Sequence, residues 1–191
     1  MSEIKAIISD LDGTLVDTFE ANFQAYRSVL AAYDLVLTRE VYRRHFGLRL
    51  TEFLTALGLS VAPSVVAEIR KAKSKCYPDF FDALKPNRVL LEFLRAFKAQ
   101  SGRIALVTTA SRANVDRVVH HIGADGLFEL IISGEDVVHG KPDPECYITA
   151  CRRLMLASDE VLVFEDTQLG LDAAHRAGIK TFRIQEAFYE T

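Results

Sequence analysis

The sequence predicts an α/β protein: a doubly wound parallel sheet interrupted, after its first strand, by a helical insertion. Three observations point there. Four short β-rich apolar runs, KAIIS (5–9), RIALVT (103–108), LIIS (130–133) and VLVFE (161–165), and a closing fifth, KTFRI (180–184), read as strands. Their largely unbroken apolar character fits strands covered on both faces, as in a parallel sheet. Helical patterns alternate with the later runs, which implies right-handed βαβ crossovers. Residues 19–84, by contrast, show helical periodicity and no strand, far more chain than one crossover helix needs.

In order, the first run ends in DLDGTLVDT (10–18) and gives way to four helical stretches: EANFQAYRSVLAAYD, TREVYRRHF, LTEFLTALG and SVVAEIRKAKSKCYPDFFDAL. KPN (85–87) reads as the return hinge, and RVLLEFLRAFKAQSG as the helix leading back to the sheet. The domain boundaries expected from this pattern are 1–16 with 87–191 for the core and 17–86 for the insertion. After the second strand, SRANVDRVVHHIG offers Ser111 as N-cap and Gly123 as the residue past the helix end. PECYITACRRLM starts with Pro144 near a first turn, and TQLGLDAAHRAG runs from Thr167 to Gly178.

Bulk properties exclude several classes. The 191 residues suffice for one domain of ordinary size with a modest insertion, and 49% hydrophobic content can fill its core. A net charge of −3 with no Lys/Arg block gives no footprint for nucleic acid. No apolar run is long enough to span a bilayer, so no membrane association is expected. The N-terminus lacks a basic segment followed by a long apolar one, so no secretory signal is expected. Cys76, Cys146 and Cys151 are scattered and odd in number, which reads as reduced thiols in a cytoplasmic protein.

In a doubly wound sheet, ligands bind outside the carboxyl ends of the strands, where strand order switches. Those ends carry Asp10 and Asp12 from the first strand, and Thr108, Thr109 and Ser111 from the second. Lys141 follows the third, in HGKPDP, and Glu165 and Asp166 end the fourth. Each feature has an ordinary explanation: DG a turn, TTAS a cap, GKPDP a loop, ED a strand end. Their joint placement on one sheet edge does not. Four neighbouring carboxylates repel and would retain protons unless a cation intervenes, and Mg²⁺ is the hard cation that carboxylates and water hold. Thr108 and the amides at the following helix start suit a phosphate. Lys141 could balance phosphoryl charge. The set describes phosphoryl transfer, where catalysis is mostly positioning and charge stabilisation.

These residues resemble the four motifs of the haloacid dehalogenase superfamily: DLDGTLVDT the first, LVTTAS the second, GKPDP the third and VFEDTQLGLDAAHRAG the fourth. The branch they are most similar to is the phosphoglycolate phosphatase and β-phosphoglucomutase group. The resemblance implies a Rossmann-like core with the insertion as a helical cap, closing over the substrate to exclude water. It implies Asp10 as nucleophile, forming an aspartyl-phosphate, and Asp12 as general acid and base. Mg²⁺ would be held by the Asp10 carboxylate, the Asp12 backbone carbonyl and Asp166, with Glu165 helping directly or through water. Thr108, the Thr109 amide and Lys141 would bind the phosphoryl group.

Asp12 with Glu165 and Asp166 favours a phosphate ester over a haloacid, because the superfamily's dehalogenases lack that acid and need no metal. The expected activity is hydrolysis of a small phosphorylated metabolite by a monomer or homodimer. A phosphosugar mutase is the alternative, set back because Asn22 stands where the mutase carries a histidine. A phospho-switch or binding protein is a further one, set back because a switch has no need of Asp12. A phosphonate-cleaving relative would use a cap lysine, and Lys71, Lys73 and Lys75 lie on a helix whose lysine-rich face is expected to be solvated. Ser9 departs from the phenylalanine common before the nucleophile. Substrate choice falls to cap side chains. His45 and Arg49 flank the turn in RRHFGLR, and Lys73 and Tyr77 are i, i+4 neighbours on one helix face.

Overall fold

A computed structural model describes residues 3–185. The chain divides into two compact units, one running up to Asp17 and resuming at Lys85, the other spanning Thr18–Leu84.

The first unit is built on a five-stranded, all-parallel sheet. Its strands are β1 (Ala6–Ser9), β4 (Arg103–Val107), β5 (Leu130–Ile132), β6 (Val161–Glu165) and β7 (Lys180–Arg183), in spatial order β5-β4-β1-β6-β7. The two-residue strands β2 (Val16–Asp17) and β3 (Lys85–Pro86) form a separate antiparallel pair. Strand β1 occupies the centre, with Ile8 level with Ala105 of β4 and Val163 of β6. All four of its residues are buried, as expected for a strand covered on both faces. Only β7, at the edge, is largely exposed.

Helices α5 (Arg88–Ala99), α6 (Arg112–His121), α7 (Glu145–Leu154) and α8 (Gln168–Arg176) are the crossovers. On one face, Ala6, Ile8, Ala105, Val107 and Val163 pack with Tyr147 and Ala150 of α7 and Ala173 and Ala174 of α8. Helix starts are tied to the chain around them. The Asn87 side chain accepts from Leu90 N (3.0 Å) to cap α5, while its own amide donates to Thr14 O (3.3 Å). Thr167 Oγ1 caps α8 by accepting from Gly170 N (3.1 Å). Ser111 occupies the N-cap position of α6, but its side chain makes no capping bond.

The second unit is helical: α1 (Phe19–Ala31), α2 (Arg39–Arg44), α3 (Leu50–Ala56), α4 (Pro63–Cys76) and a 3₁₀ turn over Tyr77–Ala83. Its own core includes Phe23, Leu30, Tyr42, Phe53, Leu54 and Ile69. Asp17, Lys85 and Pro86, which the sequence placed in the insertion, belong to the sheet-bearing unit. The reason is the β2–β3 pairing, in which Val16 lies opposite Pro86 and Asp17 opposite Lys85. Two-residue strands leave no periodic trace in a sequence. The three cysteines are free, and among the described residues no helix is long and apolar enough to cross a membrane.

Candidate active site

β1 lies between β4 and β6, so the order of the sheet switches at its carboxyl end. Asp10 is the first residue beyond β1, still anchored to the sheet by its amide on Phe164 O (3.0 Å). The chain then turns through Asp12, Gly13 and Thr14, closed by Gly13 N on Val16 O (2.8 Å). Gly13 has φ +92°, and a Cβ there would overlap the Asp166 carboxylate. This is a double requirement for glycine, conformational and spatial. Thr14 Oγ1 donates to Asp166 Oδ1 (2.8 Å), so the turn after β1 and the end of β6 meet through one carboxylate.

Lys141 is buried with its ammonium on Asp10 Oδ1 (2.6 Å) and Glu165 Oε1 (2.5 Å), and at 3.5 Å from Val107 O. Its loop is fixed from below: Glu145 accepts from the amides of Val138 (2.9 Å) and His139 (2.8 Å), while Asp143 Oδ1 accepts from Glu145 N (2.9 Å). The Lys141–Pro142 peptide is cis. Glu165 is 1% exposed, and its other oxygen accepts from Thr167 N (2.8 Å) and Thr167 Oγ1 (3.0 Å). Thr108, at the end of β4, donates to Asp12 Oδ2 (3.3 Å) and accepts from Ala110 N (3.0 Å). Thr109 is half-buried in the same turn, and Gly134 keeps clear the space beside its carbonyl.

Direct contacts therefore join Asp10, Lys141 and Glu165 in one cluster and Asp12 with Thr108 in another, with Asp166 on Thr14. Burial pushes the Asp10 carboxyl well above its ordinary value; Lys141 opposes that, and Glu165, Asp166 and Asp12 add to it. Burial alone would lower the Lys141 ammonium, but Asp10 and Glu165 outweigh it and hold its pKa well above normal. Asp166 is raised to about 7, first by burial and then by Glu165, against the stabilising bond from Thr14.

Two acids lifted in this way mark more negative charge than one ammonium can balance. The donors are carboxylate oxygens, and glycine keeps a place clear at Asp166. That donor set fits a hard divalent cation such as Mg²⁺.

Sequence reasoning overlooked Thr14 and Tyr147. Thr14 stands in the quoted DGT, but a threonine after a turn glycine reads as turn chemistry. Tyr147 sits three residues into α7, where an aromatic reads as core; its ring centroid lies 5.3 Å from the Lys141 ammonium and its hydroxyl 3.5 Å from Glu165 Oε1.

In the helical unit, His45 follows α2 with its ring tilted on Phe53 (6.4 Å), and Arg49 precedes α3, its amide on Glu52 Oε2 (3.2 Å). Gly47, at φ +89°, lies in the turn between them. Lys73 and Tyr77 come together, the ammonium 3.6 Å from the ring centroid. Lys71 and Lys75 are exposed as expected, but Lys73 is 7% exposed and does not share that solvated face. It donates to Asn22 Oδ1 (2.5 Å) across from α1 and also faces the Tyr26 ring (5.2 Å).

The model of the family described as "Haloacid dehalogenase-like hydrolase" matches residues 7–184. The chain is 31% identical to a phosphorylated carbohydrates phosphatase of Thermotoga maritima, over 93% of this chain and 83% of that one. It is 33% identical to protein CbbY of Rhodobacter capsulatus, over 93% and 84%. The crystal structure of CbbY from Rhodobacter sphaeroides in complex with phosphate superposes with a TM-score of 0.85 at 29% identity, covering 98% of this chain and 88% of the other. From the first strand to the last, and through the helical insertion, the chain belongs to the haloacid dehalogenase-like hydrolases.

Proposed function

We propose that the chain is a Mg²⁺-dependent phosphatase that hydrolyses a small phosphorylated metabolite through an aspartyl-phosphate on Asp10. The observation that carries this reading is the buried Lys141 ammonium 2.6 Å from Asp10 Oδ1, at the switch point of the sheet. A carboxylate oriented by a fixed cation, beside two further acids, suits attack on phosphorus better than it suits a turn. Relatives named as phosphatases support the same reaction class.

Asp10 attacks phosphorus, forming the acyl-phosphate O–P bond as the ester P–O bond breaks. Asp12 gives its proton to the departing oxygen. It then takes a proton from water, which attacks the aspartyl-phosphate and releases phosphate, returning Asp10 to a carboxylate. The Thr108–Asp12 contact places this acid beside a hydroxyl assigned, with the Thr109 amide, to the phosphoryl oxygens. Lys141 holds Asp10 in position and neutralises phosphoryl charge. Asp10, the Asp12 carbonyl and Asp166, aided by Glu165, would hold Mg²⁺, which when bound supplies charge neutralisation for the phosphoryl group. Substrate choice is assigned to His45, Arg49, Lys73 and Tyr77 of the helical unit.

Asp10→Asn is expected to abolish turnover of p-nitrophenyl phosphate while leaving the circular dichroism spectrum unchanged. Chelation should remove activity and added Mg²⁺ restore it. Wild-type rates in Asp10→Asn would end the proposal, and conversion of a hexose 1-phosphate to the 6-phosphate without free phosphate would replace it with a mutase.

A further inference from the structure

Glu165 is the least accessible acid of the cluster, and its carboxylate is met from every side. Oε1 faces the Lys141 ammonium at 2.5 Å and the Tyr147 hydroxyl at 3.5 Å, and Oε2 faces the Thr167 amide and hydroxyl at 2.8 and 3.0 Å. The remaining boundary is Gly170, one turn into α8. A Cβ on Gly170 would overlap Glu165 Oε1 and Cδ. Gly170 has no need of glycine for its backbone, being an ordinary helical residue, and helix propensity alone favours alanine there. What the missing side chain provides is room for the carboxylate.

We infer that Gly170 and Tyr147 are positioning residues that seat Glu165 against Lys141, and through Lys141 fix the Asp10 carboxylate. This rests on the reading of Asp10 as the group that takes the phosphoryl moiety. Glu165 is a flexible side chain, so a methyl at Gly170 pushes its carboxylate aside more easily than it moves backbone. Lys141 then loses one of its two anionic partners, and the one still holding it is the nucleophile itself. A tilt of the ammonium passes directly to Asp10. Tyr147, whose ring lies beneath the ammonium and whose hydroxyl closes Oε1, limits where Glu165 can go. Displacing a reacting group by about an ångström costs on the order of 100-fold in rate.

The experiment compares Gly170→Ala, Glu165→Asp, the double variant and Tyr147→Phe, assayed on p-nitrophenyl phosphate with Mg²⁺, with Asp10→Asn run in parallel. Gly170→Ala is expected to lower kcat on the order of 100-fold with KM within about threefold. A crystal structure of it should show the Glu165 carboxylate withdrawn from Lys141. Shortening the acid makes space for the methyl, so Gly170→Ala/Glu165→Asp should turn over at least about tenfold faster than Gly170→Ala, although Glu165→Asp alone falls below wild type. A purely structural glycine would show no such rescue. Tyr147→Phe should lose several-fold in kcat.

A kcat for Gly170→Ala within twofold of wild type, an unchanged Lys141–Glu165 contact, or a double variant no faster than Gly170→Ala would each overturn the inference. If Gly170→Ala alone is insoluble, the double variant is compared with Glu165→Asp: a loss below threefold supports the inference and a larger one overturns it. An inactive Asp10→Asn beside an unimpaired Gly170→Ala removes only this inference, whereas an active Asp10→Asn removes the phosphatase reading beneath it.

Discussion

Asp166 makes the charge balance of the cluster measurable without any substrate. Its carboxyl moves from an ordinary 3.8 to about 7 in the folded protein, chiefly because burial disfavours the charged form. Between those two values the folded chain holds a proton that the unfolded chain has released. Folding is therefore penalised increasingly as pH rises from about 4 to about 7, and the penalty is level above that. A shift of this size corresponds to at most about 4 kcal/mol at roughly 1.4 kcal/mol per pH unit. The assay is urea denaturation in chelator from pH 4.5 to 8, on wild type and on Asp166→Asn, which lacks the titrating group. The acids whose pKa values are lowered by surface partners (Glu20, Glu129 and Asp136 among them) pull stability the other way at low pH, and the comparison cancels them. Wild type should lose about 3 kcal/mol relative to Asp166→Asn between pH 4.5 and 8, the remainder of the penalty having accrued below pH 4.5. Mg²⁺ at about 100 times its dissociation constant should return about 2.7 kcal/mol to wild type and little to the variant. A difference that stays flat with pH, or grows in favour of wild type, would refute the argument that these acids are buried in excess of their counter-charge.

Lys141→Ala strands the Asp10 and Glu165 carboxylates in a buried site; about 3–5 kcal/mol of destabilisation by denaturation is expected, together with loss of p-nitrophenyl phosphate turnover. Gly13→Ala combines strain at φ +92° with overlap on Asp166, so Mg²⁺ affinity by calorimetry should fall at least about tenfold, a cost comparable to a disturbed ligand support. Asn87→Ala removes the α5 cap and the bond to Thr14 O without removing any contact to an acid, and should cost about 1–3 kcal/mol in urea while kcat changes less than twofold.

How much of this the sequence disclosed depended on whether a feature was periodic or local. The parallel sheet was legible because runs such as Ile7–Ile8 and Leu162–Val163 must be apolar on both faces, and alternation with helices then dictates the crossovers. Lys141 could be placed near Asp10 and Glu165 from topology alone, since the loops leaving β1, β5 and β6 share an edge. Which atoms touch was not legible. Nothing in DGT distinguishes Thr14 as a donor to Asp166 from a threonine that merely follows a turn. The lysine-rich stretch 71–75 reads as one solvated face, but alternate residues on a helix point in different directions, and Lys73 turns inward to Asn22. Strand β3 vanished into a hinge because two residues carry no period.

The two acids that end β6 share a solution that neither shows alone. Consecutive residues leaving a strand project to opposite sides, and Glu165 and Asp166 take different hydrogen-bond partners. Glu165 goes to Lys141, with Gly170 leaving room beside it; Asp166 goes to Thr14, with Gly13 leaving room beside it. Each carboxylate is thus paired with a glycine whose absent side chain is the space it occupies. The arrangement divides the labour of one dipeptide. One acid is fully engaged with a permanent cation and with backbone, while the other keeps a raised pKa that a divalent ion would bring down. Exchanging their identities, as in Glu165→Asp/Asp166→Glu, should therefore fail although charge and composition are unchanged. The shorter acid sits back from Lys141, and the longer one drives into the turn at Gly13. Activity retained by that swapped pair would mean that the cluster reads total charge, and that the two seats are not distinct.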